Sequence, residues 1–401
     1  MTNFKDLGLS EELVKSLERL KITIPTPIQA ATIPVALSGR DILASAQTGS
    51  GKTVAYLMPI LMKMAENAQG CSLILTPTRE LAVQVEQMLR QISPLKTALL
   101  IGGASMSRQF SDLKRKPRFI VGTPGRINDH LERGTLHLGS TRFLVIDEAD
   151  RMLDMGFGVQ LDRIAEYLPK ERQTLMFSAT LPPNIDKLSK KYLNNPERVA
   201  ISLETQAAPK INQEILHMKS SEKFSKLQDQ LNAREGSVIV FVKTRRSAER
   251  LSRDLQTYGH NSDAIHGDLQ QRKRDRVIQG FRTRRSRILV ATDVAARGLD
   301  IPHVMHVINY DLPQAPEDYV HRIGRTGRAG AVGNAVCFVS QEDGGKWRAI
   351  ARLIDPTAAK KEFNQQPRPA KPAFKKRFFK GPRRDGNAKN KPYQDRRRFR
   401  P

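Results

Sequence analysis

Two tandem α/β domains built on parallel sheets, followed by a basic tail with no core of its own, are what the sequence predicts. Three observations carry that expectation. Short apolar runs alternate with helical stretches twice, once before and once after residues 201–210. A glycine-rich loop, Ala46-Gln47-Thr48-Gly49-Ser50-Gly51-Lys52-Thr53, joins a strand to a helix in the first series. From about Pro356 the composition shifts to Lys, Arg, Pro, Gly, Asn and Gln. The expected limits are residues 1–205 for a first domain, 206–212 for a linker, 213–355 for a second domain and 356–401 for the tail.

The first series opens with Phe4-Lys5-Asp6-Leu7. Ser10 suits a helix N-cap, with Leu13, Leu17 and Leu20 on one face behind it. In Ile24-Pro25-Thr26-Pro27-Ile28-Gln29 the prolines fix an extended turn, and Gln29 opens the next helix. Asp41–Ser45 reads as a strand feeding the glycine-rich loop, and Val54–Met64 as the helix after it. There, glycines let backbone N–H groups face β- and γ-phosphates, Lys52 supplies a point charge, and Thr53 offers a hydroxyl to Mg²⁺. Ala46 stands where the strict phosphate-loop pattern has its first glycine.

Cys71–Thr76, Ala98–Ile101, Arg118–Val121, Phe143–Ile146 and Leu175–Phe177 are further strands, with a helix expected over Glu80–Ile92. Their C-terminal ends carry Pro77-Thr78-Arg79-Glu80, Gly102-Gly103, Thr123-Pro124-Gly125-Arg126 and Ser178-Ala179-Thr180. In open α/β sheets this is where ligands bind. Phe143-Leu144-Val145-Ile146 runs into Asp147-Glu148-Ala149-Asp150, an apolar strand ending in acids. One carboxylate there can hold Mg²⁺ and its neighbour can orient a water.

The second series has strands at Ser237–Val242, Asp263–Ile265, Arg287–Ala291, Val304–Asn309 and Ala335–Val339, and a helix over Ser247–Tyr258. It has no phosphate loop. It carries Ala291-Thr292-Asp293, Ala296-Arg297-Gly298-Leu299-Asp300 and His321-Arg322-Ile323-Gly324-Arg325-Thr326-Gly327-Arg328. Such an arginine cluster can complete a nucleotide site built on the other half.

The 401 residues carry a formal net charge of +26, which points to a polyanionic partner. Half of that excess lies in residues 360–401, where sixteen lysines and arginines face three acids. Phe363, Phe374, Phe378, Phe379, Tyr393 and Phe399 are scattered among them, suited to stacking on unpaired bases. We expect a disordered tail that contacts nucleic acid. No run approaches the ~18 apolar residues a bilayer requires, and Met1–Glu12 has no signal-peptide block, so no membrane and a cytoplasmic location are expected. The two cysteines, Cys71 and Cys337, suit buried thiols in a reducing compartment.

With the phosphate loop, Asp147-Glu148-Ala149-Asp150 and the arginine motif in order, residues from about Phe4 to Asp355 resemble the DEAD-box RNA helicases of superfamily 2, bacterial type. The resemblance implies two RecA-like domains closing around ATP and single-stranded RNA. It implies that Gln29 reads adenine, with Phe4 as the upstream aromatic of the same element, and that Gln47, Thr48, Gly49, Ser50, Gly51, Lys52 and Thr53 hold phosphates and Mg²⁺. It makes Asp147 a Mg²⁺ ligand through water and Glu148 the base. Asp150, Ser178, Thr180 and His321 become coupling residues, Asp300 a ribose contact, and Arg325 and Arg328 the fingers. RNA contacts fall to Arg79, Gly103, Thr123 and Arg126, and to Thr244, Gly267, Gln271, Arg274 and Thr292. Lys21 and Ile22 stand where relatives often carry glycine and an aromatic, so Ile22 offers adenine an apolar face only.

The implied activity is RNA-stimulated hydrolysis of ATP to ADP and phosphate, driving local, sequence-independent separation of short duplexes by a monomer. Ribosome assembly, RNA decay or cold adaptation is the expected setting, with ribosomal-precursor or RNA-decay proteins as partners. Two rivals are a DNA translocase on the same engine and a non-catalytic RNA chaperone.

Overall fold

A computed structural model describes residues 3–46, 49–66, 69–181, 183–201, 211–296, 303–327 and 332–354. The tail expected over 356–401 lies outside the described residues. So does most of the linker expected over 206–212; its last two residues, Ile211 and Asn212, belong to a strand.

The first sheet has seven strands: β1 Ile42–Ser45, β2 Cys71–Leu75, β3 Thr97–Leu100, β4 Phe119–Gly122, β5 Thr141–Ile146, β6 Gln173–Ser178 and β7 Glu197–Ala200. Their spatial order is β3-β4-β2-β5-β6-β1-β7. The second sheet has β8 Ile211–His217, β9 Ser237–Phe241, β10 Ser262–Ile265, β11 Ile288–Ala291, β12 Val304–Asn309 and β13 Gly333–Val339, ordered β10-β11-β9-β12-β13-β8. Every described ladder is parallel.

Parallel sheets are covered by helices on both faces, which is why the central strands are continuous apolar runs. All residues of β2 and β9 are buried. In β5, Phe143 and Val145 enter one core cluster while Leu144 and Ile146 enter the other, as the two-residue period of a strand requires. Burying each such side chain contributes about 1.5–3 kcal/mol. The alternation fixes which face each side chain takes, and the parallel pairing with β2 and β6 sets the strand's direction, which puts Asp147 and Glu148 at the C-terminal edge of the sheet.

The strand order positions the site. β1, β6 and β5 are adjacent, so the loop after β1, Ser178 at the end of β6 and the acids after β5 emerge side by side.

Helices follow their sequence signals closely, at Glu11–Arg19, Lys52–Glu66, Arg79–Ile92 and Arg245–Thr257. Two strands lack such a signal. β7 and β8 sit at the sheet edges and are largely exposed, so burial imposes no apolar run on Glu-Arg-Val-Ala or Ile-Asn-Gln-Glu-Ile-Leu-His. Among the described residues no helix is long and apolar enough to cross a membrane.

Candidate nucleotide and nucleic-acid site

Lys52 opens the long helix after the glycine-rich loop, and its side chain is buried. Its Nζ donates to the Ala46 carbonyl at 3.0 Å, folding the charge back over the loop. Gly51 has φ +92°, and a Cβ there would lie 2.3 Å from Gln29 Nε2, so only glycine fits. Gln29 is itself buried: Oε1 accepts from the Thr26 N–H at 2.9 Å, and Nε2 donates to the Gly51 carbonyl at 3.0 Å. The residue expected at adenine is thus tied to the phosphate loop. Phe4 is 2% exposed and packs in the core with Leu17 and Ile28. Gly49 and Ser50 complete the described loop; Gln47 and Thr48 lie outside the described residues.

At the end of β5, Asp147 is buried and its two oxygens differ. Oδ2 accepts from the Tyr56 hydroxyl at 3.1 Å, whereas Oδ1 is buried with no hydrogen-bond partner among the described residues. Burial, and then the Glu148 charge, pushes the Asp147 carboxyl up to about 6 despite Lys52. Tyr56 stands three residues after Thr53 on the same helix, so the hydroxyl that fixes Asp147 lies on the face that carries Thr53. A buried carboxylate oxygen without a donor, near a threonine hydroxyl, is the donor set a hard cation takes.

Glu148 has φ +53°, a left-handed conformation that costs a non-glycine residue about 1–2 kcal/mol. Burial would raise its carboxyl, but the charges of Arg151, Lys52 and Arg325 outweigh burial and hold it below the usual range. Asp150 is bonded throughout. Oδ1 accepts from the Arg151 N–H at 3.0 Å, and Oδ2 from the N–H groups of Ala179 and Thr180 at 3.0 Å and the Thr180 hydroxyl at 3.1 Å. Ser178 is buried with no partner for its hydroxyl among the described residues.

The second half supplies the opposite wall. A cavity of about 10 Å³ between the halves is lined by Arg151 from the first and by Asp293, His321, Arg322 and Arg325 from the second. His321 is held neutral, its imidazole pushed down to about 3 by burial and then by Arg151. The arginines of the motif divide by role. Arg322 braces its own domain, forking onto Asp293 at 2.6 and 2.8 Å, donating to Asn309 at 3.0 Å and stacking 4.9 Å from the Phe241 ring. Arg325 is anchored through Nε to the His321 carbonyl at 3.2 Å and lines the cavity that Arg151 reaches from the first half. Arg328 and Asp300 lie outside the described residues.

Several residues expected at RNA meet across the cleft. Arg79 Nη1 donates to Gln271 Oε1 at 2.6 Å, and Arg274 pairs with Glu80 while its Nη2 donates to the Ala295 carbonyl at 2.7 Å. Gly103 has φ +80°, and a Cβ there would stand 2.9 Å from Arg79 Nη1 and 3.1 Å from Gln271 Cβ. Arg126 reaches the Ala104 carbonyl at 3.5 Å. Thr123 and Thr244 cap helices at their strand ends, Thr292 is buried beside Ile265, and Gly267 is exposed.

Two residues were not anticipated from the sequence. Tyr56 lies four positions after Lys52, on the same helical face, a periodicity that could have flagged it. Arg151 lies three after Glu148, the same kind of signal, at a spacing that lets the two side chains pair.

Comparison with known proteins agrees with this geometry. Residues 26–188 match the model for DEAD/DEAH box helicases, and residues 222–330 that for the helicase conserved C-terminal domain. The chain is 45% identical to the DEAD-box ATP-dependent RNA helicase CshA of Geobacillus kaustophilus over 88% of this chain and 76% of that one. It is 44% identical to the ATP-dependent RNA helicase CshA of Listeria monocytogenes, over 90% and 70%. Among solved structures it resembles S. cerevisiae Dbp5 bound to RNA and ADP BeF3, with TM-score 0.79 and 34% identity over 92% of this chain and 95% of that one. It also resembles Mss116p bound to ssRNA and AMP-PNP, with TM-score 0.78 and 29% identity over 88% and 77%.

Proposed function

Because the chain belongs to the DEAD-box family of ATP-dependent RNA helicases, we propose that it separates short RNA duplexes locally when ATP and RNA draw its halves together, and frees the strand on hydrolysis. The observation that carries this reading is the junction where Arg151, which pairs with Glu148 on the first half, lines one cavity with His321 and Arg325 of the second. The cradle lies in one half and the arginine in the other, so the reactive arrangement exists only when they meet.

In this reading Lys52 exchanges the Ala46 carbonyl for the β- and γ-phosphates. Asp147 Oδ1, through water, and the Thr53 hydroxyl would hold Mg²⁺, which would offset charge on the phosphates. Tyr56 fixes the Asp147 carboxylate by its other oxygen. Glu148, kept ionised by its cationic neighbours, orients the attacking water and takes its proton. Arg325, with Arg328, stabilises charge on the transferring phosphoryl group. Asp150 links this event to Thr180 and His321.

On the opposite face Arg79, Gly103, Thr123 and Arg126 grip one stretch of RNA backbone, and Thr244, Gly267, Gln271, Arg274 and Thr292 the next. Contacts to phosphate and sugar carry little sequence information, so specificity is low. The gripped strand is bent at the joint between halves and loses its partner. The protein acts as a cytoplasmic monomer on ribosomal-precursor or decaying RNA alongside the proteins of those pathways, and its basic tail tethers the substrate.

The test is ATP hydrolysis stimulated by RNA or by DNA of the same sequence, with unwinding of a short blunt RNA duplex in parallel. RNA should stimulate and DNA should not. Equal stimulation by DNA would favour a translocase on the same engine, and duplex annealing without turnover would favour a chaperone.

A further inference from the structure

Gln109 is the one buried residue of the helix Met106–Lys114, at 2% exposure, on an element that otherwise faces solvent or is half-buried. A buried amide on such a helix needs partners. Its Nε2 donates to the carbonyls of Ile101, at 3.1 Å, and Ala104, at 3.4 Å, the two residues that bracket Gly102-Gly103. Its Oε1 faces Nε2 of His130 at 3.2 Å. His130 is fully buried on the helix Pro124–Glu132, and its Nδ1 lies 2.9 Å from the Thr135 hydroxyl. Phe110 packs edge-on against the imidazole, with centroids 5.4 Å apart.

The roles follow from the acceptors. Two carbonyls can only accept, so the Gln109 nitrogen donates to both and its oxygen is left to accept. The imidazole must therefore carry its hydrogen on Nε2. Burial holds His130 neutral, in keeping with one donor and one acceptor nitrogen.

We infer that Gln109 and His130 form a relay that sets the spacing of two RNA-gripping segments: the loop 101–104, which carries Gly103, and the turn 123–126, which carries Thr123 and Arg126. They are positioning residues, not contacts. The inference rests on the proposed assignment of those segments to RNA. It explains why the relay ends on loop carbonyls rather than within the core. Gly103 occupies φ +80°, a conformation open to several neighbouring geometries, and the two bonds from Gln109 select one. Arg126 reaches the same loop at the Ala104 carbonyl, so loop and turn are also tied directly.

A matched pair of substitutions tests this in the full-length chain. In His130→Gln the amide nitrogen can occupy the place of Nε2, whereas in His130→Asn it occupies that of Nδ1. His130→Gln should keep the RNA concentration for half-maximal ATPase within about twofold of wild type, while His130→Asn and the isosteric Gln109→Met raise it about tenfold, the scale of one lost hydrogen bond. Turnover at saturating RNA and the KM for ATP should not change. Gln109→Met combined with His130→Asn should be no worse than either alone. An unchanged RNA requirement in Gln109→Met and His130→Asn overturns the relay, as does a loss in turnover with none in RNA requirement. Arg126→Ala is the control for the underlying assignment: if it leaves the RNA requirement unchanged while Gln109→Met raises it, Arg126 is no RNA contact and the relay still stands.

Discussion

Nη1 of Arg151 lies 2.5 Å from Oε2 of Glu148, and both side chains are buried. The remaining Arg151 nitrogens of the guanidinium, Nε and Nη2, have no hydrogen-bond partner among the described residues. Removing one member of such a pair leaves a buried charge uncompensated, which costs about 3–5 kcal/mol. Arg151→Met should therefore lower the unfolding free energy of the first half by that order. Its sign with pH follows from Glu148, whose carboxyl is held low by Arg151 among others. That stabilisation is present above the unfolded carboxylate value and lost as pH falls through the folded one. The gap between variant and wild type in urea melts should therefore narrow on acidification from pH 7; a constant gap would count against the pairing.

Asp147 has the opposite sign. Its carboxyl is raised to about 6, chiefly by burial, so it favours the fold when protonated and opposes it as pH rises through that value. Asp147→Asn, in chelator and without nucleotide, should be more stable than wild type at pH 8 by about 3 kcal/mol, with the gain fading as pH falls from about 6 toward the ordinary carboxylate range. Denaturant melts at both pH values measure this. Mg²⁺-dependent stabilisation by nucleotide should be lost in the same variant.

The two neighbouring arginines should separate cleanly. Arg325→Lys should lower RNA-stimulated turnover by about 10³-fold or more with little change in melting temperature. Arg322→Lys should instead lower stability of the second half by about 2–4 kcal/mol, since lysine cannot fork onto Asp293 while reaching Asn309. Thermal melts and single-turnover hydrolysis on the two variants decide; a stability loss confined to Arg325→Lys would reverse the division of roles.

Lys21 tests the departure noted in the sequence. It adopts φ +60°, a conformation glycine takes without steric cost, and Ile22 beside it packs against the first core. Lys21→Gly should stabilise by about 0.5–1 kcal/mol, visible as a rise of about 1–4 °C in melting temperature. A fall would show that the lysine makes good its strain elsewhere.

What the sequence made legible follows from burial. Central strands are covered on both faces and must be apolar throughout, so β2, β5 and β9 stand out. Edge strands β7 and β8 carry no such demand and are silent. In the site, residues that face a polyanion or ion form dense motifs with glycine and charge at fixed offsets. Tyr56, Arg151, Gln109 and His130 act through other side chains, and each looks like an ordinary helical residue until the partner's position is known. The motif His321–Arg328 shows the converse, since Arg322 and Arg325 look alike in sequence and point to different tasks.

The proposed tail function has its own test. Deleting Phe363–Pro401 removes fourteen of the sixteen cationic side chains of residues 360–401, all but Lys360 and Lys361. RNA affinity should fall and its dependence on salt flatten, with ATP hydrolysis surviving at saturating RNA. An unchanged salt slope would assign RNA binding to the two folded halves alone.

The most direct measurement of the central claim is single-turnover ATP hydrolysis by Glu148→Gln at saturating RNA, with RNA retention followed in the same samples. Hydrolysis should be nearly abolished while ATP still locks RNA in the closed protein. Hydrolysis near the wild-type rate would contradict Glu148 as the residue that activates water.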